Sequence, residues 1–402
     1  MPKKRLLGGL AFFLFLSLTF FVFFGAGPPP PPGTPDTGES AIPREEFTGK
    51  DTPRYHDYAL LIAGLSNGKG SLAAQEAKPA WINHARVMNQ TWGTFDRRQL
   101  SVMRQWASQE LARADCPTVF YPFSGPDFVN MHTLFPQART YLMVSLEPVG
   151  EIPDFSTANG SFYPGLERSL YDLLQMSFFI TPKLKASLGK HEVNGVLPVL
   201  LFFLAREGVR VEDVKYWVMN PAGAIEESPA TKAPVKYSPG DIPGLRIVFQ
   251  QPGSAEPQTL YYFCFNLADD SFERNQQFVS FLEKFGPLTT FSKAASYLMY
   301  RPRFSAIRQF ILAKSSSVLQ SDSAIPLQYF EPSAWDLRFY GCYKGPIALF
   351  SNRFQRDLAE IYQRGADIHP LPFGICYRHR PRTSNLMLAS KKTTLTVNRP
   401  AD

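Results

Sequence analysis

Cysteine and histidine are scarce in this chain, 4 and 6 among 402 residues. Cys116, Cys264, Cys342 and Cys376 lie far apart and form no CxxC, which excludes zinc-ligand spacing and a thioredoxin-like redox pair. In an oxidising compartment they could close up to two disulfides, in any of three connectivities. Cys264, inside the run Tyr-Tyr-Phe-Cys-Phe, reads as a small core residue. The Lys69-Gly70 pair lacks the glycine and the strand that a phosphate-binding loop places before it. Pro122 and Phe123 precede Ser124 where a nucleophile elbow needs its first glycine, so nucleophilic serine chemistry is not the expectation. No repeat of about 20 to 50 residues recurs, which excludes solenoids and propellers. The net charge is +7, yet Lys3, Lys4, Arg5, Lys391, Lys392 and Arg399 sit in the tails. The body has no Lys/Arg block and no RNP-like aromatic pattern, so nucleic acid is not the expected partner.

Apolar residues, by contrast, are plentiful. With 44% hydrophobic and 19% charged residues, most of the chain must be globular. Its length allows one large domain or two ordinary ones. Lys3-Lys4-Arg5 followed by the uncharged run Leu6 to Phe24 is an export signal, longer than the usual cleaved h-region and close to the ~20 residues that span a bilayer. Gly25-Ala26-Gly27 offers a cleavage site, but Pro28 follows at once, which favours an uncleaved anchor over a removed signal peptide. The basic flank places everything after the run outside the cytoplasm, so the membrane is the expected partner. Pro28 to Pro32 and the polar residues to about 50 read as a spacer.

The body divides into a helical segment over 51–115, an α/β domain over 116–380 and a basic polar tail over 381–402. Pro79 to Trp92 and Asp96 to Ala114 predict two helices, the second capped by Asp96 and burying Leu100, Met103, Trp106, Ala107 and Leu111. Residues 120–150 predict strand, tight loop, short helix, strand. Leu245 to Gln250 and Thr259 to Asn266, joined across Pro-Gly-Ser, predict an antiparallel hairpin. Residues 220–244 read as a surface loop, Ser292 to Tyr300 as a helix, Phe373 to Tyr377 as a strand, and Leu386 to Ala389 as an edge strand. Strands alternating with helices predict a Rossmann-like α/β fold, a mostly parallel sheet with at least one antiparallel hairpin.

The candidate site lies where strand ends meet loops. Ser124 and Gly125 sit at the tip of the first strand with Asp127 just beyond, and Glu147 ends the next strand. Gly125 and a distant acid resemble a dinucleotide-binding or S-adenosylmethionine-binding pattern. The match is incomplete, with one glycine instead of three and Pro126 removing a backbone donor. Asp127, Glu147 and Asp322 are the candidate acid-base residues, with Ser124, Gly125 and His132 as ligand contacts. Asp127 equally suits an N-cap. No cofactor or metal is assigned. The function expected is an extracytoplasmic binding or envelope protein taking an unknown small ligand, the alternative being a carboxylate hydrolase or transferase with or without a divalent metal. Asn89-Gln90-Thr91 and Asn159-Gly160-Ser161 match the N-glycosylation triplet.

Overall fold

The computed structural model describes residues 55–66, 72–112, 116–155, 161–176, 193–230, 237–365 and 367–392, all within one unit, Asp51–Asp402. The apolar run Leu6 to Phe24, the proline spacer, Asn159-Gly160 of the second triplet and the last ten residues lie outside them. Among the described residues no helix is long and apolar enough to cross a membrane.

Among the described residues eleven strands form one sheet: β1 Thr118–Pro122, β2 Thr140–Ser145, β3 Arg210–Met219, β4 Ile225–Pro229, β5 Ile242–Gln250, β6 Gln258–Cys264, β7 Leu288–Ser292, β8 Ser315–Gln320, β9 Trp335–Gly341, β10 Ile368–His369 and β11 Asn385–Lys391. Their order is β10-β9-β11-β8-β7-β1-β2-β6-β5-β3-β4. The five central strands, β8 to β6, are parallel. From β1 the chain moves through β2 to β6 on one side, then returns to β7 and β8 on the other, so the order reverses between β1 and β7.

The centre is parallel because every step there passes through a crossover with helix, as a parallel pair requires. The flanks are mainly antiparallel: β5 pairs with β6 as the hairpin pattern predicts, β3 with β5 and β4, and β11 with β8 and β9, while the two-residue edge strand β10 runs parallel to β9. The sheet is therefore mixed, not mostly parallel. The short Gly253 turn between β5 and β6, with φ +80, leaves no room for a crossover. β4 arises inside the expected surface loop, where its alternation is masked because it is an exposed edge.

Side-chain alternation assigns the two faces. Val119 and Tyr121 of β1 join one core cluster, with Tyr141 and Met143 of β2. Phe120, Leu142 and Val144 join the other. All five residues of β1 are buried, as suits a strand covered on both faces. The helix Leu197–Arg206 buries every residue from Leu197 to Ala205, which explains its unbroken apolar run.

The two helices expected either side of Asp96 are continuous. Pro79–Phe95 passes through a π turn, Asp96–Leu100, into Ser101–Glu110. Asp96 has helical angles and its carboxylate meets Arg104, so it caps nothing. The wide turn lets the inward stripe change phase: Leu100, Met103, Trp106 and Ala107 stay buried, and Gln99 reaches the Gly374 carbonyl.

Two expected elements are absent. Residues 373–377 carry no strand, although Phe373, Ile375 and Cys376 are buried. Ser292 to Tyr300 is not an α-helix: Ser292 ends β7, Ala294, Ser296 and Tyr297 adopt φ of 50°, 51° and 53°, and Leu298–Tyr300 alone forms a single 3-10 turn.

The candidate site at the strand tips

The parallel strands bring the exits of β1, β2, β7 and β8 to one edge. Phe123 leaves β1 at φ 59° and Gly125 follows at 56°. Ser124 stitches this exit to β2: its N–H donates to the Val144 carbonyl at 3.0 Å, and its hydroxyl donates to the Gly125 carbonyl at 2.8 Å.

Asp127 caps the helix Phe128–Leu134, accepting from the Asn130 amide N–H and, at 2.8 Å, from the Asn130 side chain. Its other oxygen accepts from the Tyr121 hydroxyl at 3.0 Å and lies 2.7 Å from Lys293 Nζ. Aspartate and lysine side chains are only 2% and 1% exposed. Burial first, and then the Asp127 charge, push the Tyr121 phenol well above its ordinary range. Asp127 is thus both cap and ion-pair partner. A carboxylate held by these groups is a structural anchor between β1 and β7, not an open base.

Past Lys293 the left-handed residues fold over the β7 tip. The Tyr377 hydroxyl holds them, accepting from Ser296 N–H at 3.0 Å and donating to the Ala294 carbonyl at 2.8 Å. Next to it Cys376, itself at φ 66°, is buried. Burial raises its thiol to about 12, against the opposing pull of the Lys293 charge and a hydrogen bond with Ser321.

Asp322 follows β8. Its carboxylate accepts from Tyr297 Oη at 2.6 Å and Asn385 Nδ2 at 3.0 Å, and its own N–H donates to Asn385 Oδ1 at 2.9 Å. Burial raises the carboxyl above its ordinary value, opposed by those two side-chain donors. The Lys293 charge lowers the Cys376 thiol and the Asp322 charge raises it.

Glu147, two residues past β2, is also buried. It stands on the β6 side: its carbonyl accepts from the Tyr262 hydroxyl at 2.7 Å, and its charge helps raise that phenol. His132 is at the far end of the short helix. There it meets Glu207 at 2.9 Å and stacks on Phe128, away from the strand tips. Asn89 of the first triplet accepts from Arg206 at 2.7 Å.

The rim therefore gathers Ser124, Gly125, Asp127 and Asp322, with Glu147 one strand over and His132 at the opposite edge. Lys293, Cys376, Tyr377 and Asn385 complete it and were not picked out from sequence. Lys293 was hidden by reading Ser292 to Tyr300 as a helix, although Leu-Thr-Thr-Phe-Ser after Gly286-Pro287 has the β-branched and aromatic content of a strand. Among the described residues no three His, Cys, Asp or Glu side chains converge to hold a metal ion, and none of the four cysteines is in a disulfide.

These features define a mixed α/β protein with a buried polar network at the tips of its central strands. No protein-family model, no curated protein and no solved structure matches the chain.

Proposed function

We propose that this chain is an extracytoplasmic, membrane-held protein whose Rossmann-like core binds a small ligand over the tips of β2, β1, β7 and β8. The strand order supports the doubly wound reading, in which ligands sit outside the carboxyl ends where the order reverses. One observation carries the ligand reading. Of the six described non-glycine residues with positive φ, five (Phe123, Ala294, Ser296, Tyr297 and Cys376) surround that reversal point. Such residues cost about 1–3 kcal/mol each and concentrate where a backbone is held for binding.

Glu147 and Asp322 are the ligand contacts in this reading, because Asp127 is consumed by Lys293 and the cap. The test is native mass spectrometry of the full chain purified from cells, followed by thermal-shift screening of small metabolites. Glu147→Gln and Asp322→Asn should keep wild-type circular dichroism and abolish the shift. A ligand whose shift survives in both variants would remove the strand tips from the function.

A second reading is a hydrolase or transferase working through Asp322, whose raised carboxyl in the Tyr297–Asn385 cradle suits proton exchange. Screening phosphoesters, esters and glycosides separates the two, since turnover lost in Asp322→Asn would favour catalysis. Export rests on residues 3–24. Cell fractionation should leave the chain in the membrane with residues before Pro28 intact. A soluble form starting near Pro28 would mean cleavage.

A further inference from the structure

The segment that carries Cys376 and Tyr377 runs on into a second polar concentration. Arg98, Gln99, Gln175, His379 and Arg380 supply the polar wall of a cavity of about 300 Å³. Two parts of the chain far apart in sequence build it. The π turn Asp96–Leu100 contributes Arg98 and Gln99, and such turns are frequent at functional sites. His379 and Arg380 are held against Gly374, where a Cβ would lie 1.7 Å from the His379 carbonyl oxygen, so only glycine admits this approach. The Gly374 carbonyl accepts from Gln99, which ties the two parts together. The Arg380 carbonyl accepts from the Thr383 N–H at 3.1 Å and from its hydroxyl at 2.8 Å, fixing the turn that presents the arginine.

The charge in this wall is one-sided. No carboxylate lines the cavity. Arg98 donates to the neutral Leu174 carbonyl at 3.0 Å, and among the described residues neither Arg98 nor Arg380 is in an ion pair. Both residues are exposed and both line the cavity. Burial lowers the His379 imidazole below its ordinary value against a hydrogen bond with the Tyr377 backbone, and the Arg380 and Arg98 charges lower it further. Both cations therefore act on one imidazole in the wall, and like charges gathered in this way favour an anion among them.

We propose that this cavity binds the dianionic phosphate group of a small soluble phosphomonoester. Its two charges match those of Arg98 and Arg380, and the guanidinium fork suits phosphate oxygens. A monocarboxylate would answer only one of the two. Phe95 and Pro381 complete the wall with apolar surface for the carbon part of the ester.

Calorimetric titration of the full chain with glycerol 3-phosphate at pH 8, where the ester is a dianion, tests this. Saturable heat is expected, with acetate at matched ionic strength binding at least about tenfold more weakly. Arg98→Gln and Arg380→Gln should keep wild-type circular dichroism and each weaken the ester about tenfold. Arg97→Gln removes an exposed cation of the same π turn that does not line the cavity, and should leave the affinity unchanged. Dihexanoyl phosphatidic acid presents the same group on a lipid, and its binding more tightly than glycerol 3-phosphate would overturn the soluble source in favour of a lipid headgroup. Equal loss in Arg97→Gln would reduce the effect to net charge, and acetate binding equally well would remove the dianion. Absence of saturable heat, or unchanged affinity in both cavity variants, would overturn the site itself.

Discussion

Lys293 and Asp127 meet at 2.7 Å with almost no solvent contact, and the cost of such a pair depends on whether both partners are present. Lys293→Met leaves a buried carboxylate facing only Tyr121 and Asn130, and is expected to destabilise the protein by about 3–5 kcal/mol in urea unfolding. Asp127→Asn combined with Lys293→Met should recover much of that loss, because no uncompensated charge is left. Asp322 differs, since its folded carboxyl is raised above its unfolded value. The folded state then holds its proton more tightly, so its contribution is full below the unfolded value of about 3.9 and is lost as pH rises through the folded one. Asp322→Asn should therefore gain on wild type as pH climbs from about 4, measured as urea midpoints at successive pH values. Cys376 makes a third test at this scale. With its thiol raised to about 12 and 4% of the residue exposed, it should stay unmodified by a thiol reagent at pH 8 until the protein is unfolded.

At the scale of the element, the turn after β7 carries most of the strain. Ala294 is held at φ 50° by the Tyr377 hydroxyl bonded to its carbonyl, with Ser296 and Tyr297 left-handed behind it. Glycine at 294 removes the Cβ penalty while keeping that carbonyl, so Ala294→Gly should stabilise by about 1 kcal/mol in chemical denaturation. A loss of stability would mean that the left-handed geometry is not held in solution. The same turn shows why a helix was expected there. Ser-Lys-Ala-Ala-Ser-Tyr-Leu-Met-Tyr has helix-forming residues at helical spacing, and local propensity is a weak prior. Pairing of β7 with β1 and β8 overrides it from Leu288 to Ser292, and Tyr377, 81 residues from Ser296, shapes the turn beyond the strand. The long helix is the converse case. The buried stripe from Leu100 to Leu111 was legible, but the π turn that joins it to Pro79–Phe95 was not, because Asp96 in a first turn reads as a cap.

At the scale of the molecule, β11 has the greatest consequence. A run near the end of the chain reads as an edge strand because little comes after it, yet Asn385–Lys391 lies between β8 and β9 and hydrogen-bonds both. It also brings Asn385 to Asp322. A chain ending after Lys392 should fold, whereas one ending after Thr383 should lose the β9–β10 flank and the Asp322 cradle and show no cooperative transition. Circular dichroism melts of the two truncations decide it.

The residues at the first strand exit declared themselves by local chemistry. A glycine after a buried strand, an acid before a short helix and an acid ending the next strand can be read in order, and the structure places Ser124, Gly125 and Asp127 together as that order implies. The strand and helix periodicities likewise specified the α/β class and the β5–β6 hairpin, and the apolar run after Glu192 reads as a buried helix over Glu192 to Glu207 where the structure has Leu197–Arg206, since burial on one face or both leaves its mark in the sequence. Only the tertiary structure paired Asp127 with Lys293 and brought Cys376, Tyr377 and Asn385 to the same rim, while sending His132 to the opposite edge with Glu207. Those partners lie 75 to 166 residues apart along the chain where the ion pairs are concerned, as the numbers 132 and 207, 127 and 293 show. No local pattern encodes such meetings, because they are set by which strands neighbour one another in the sheet.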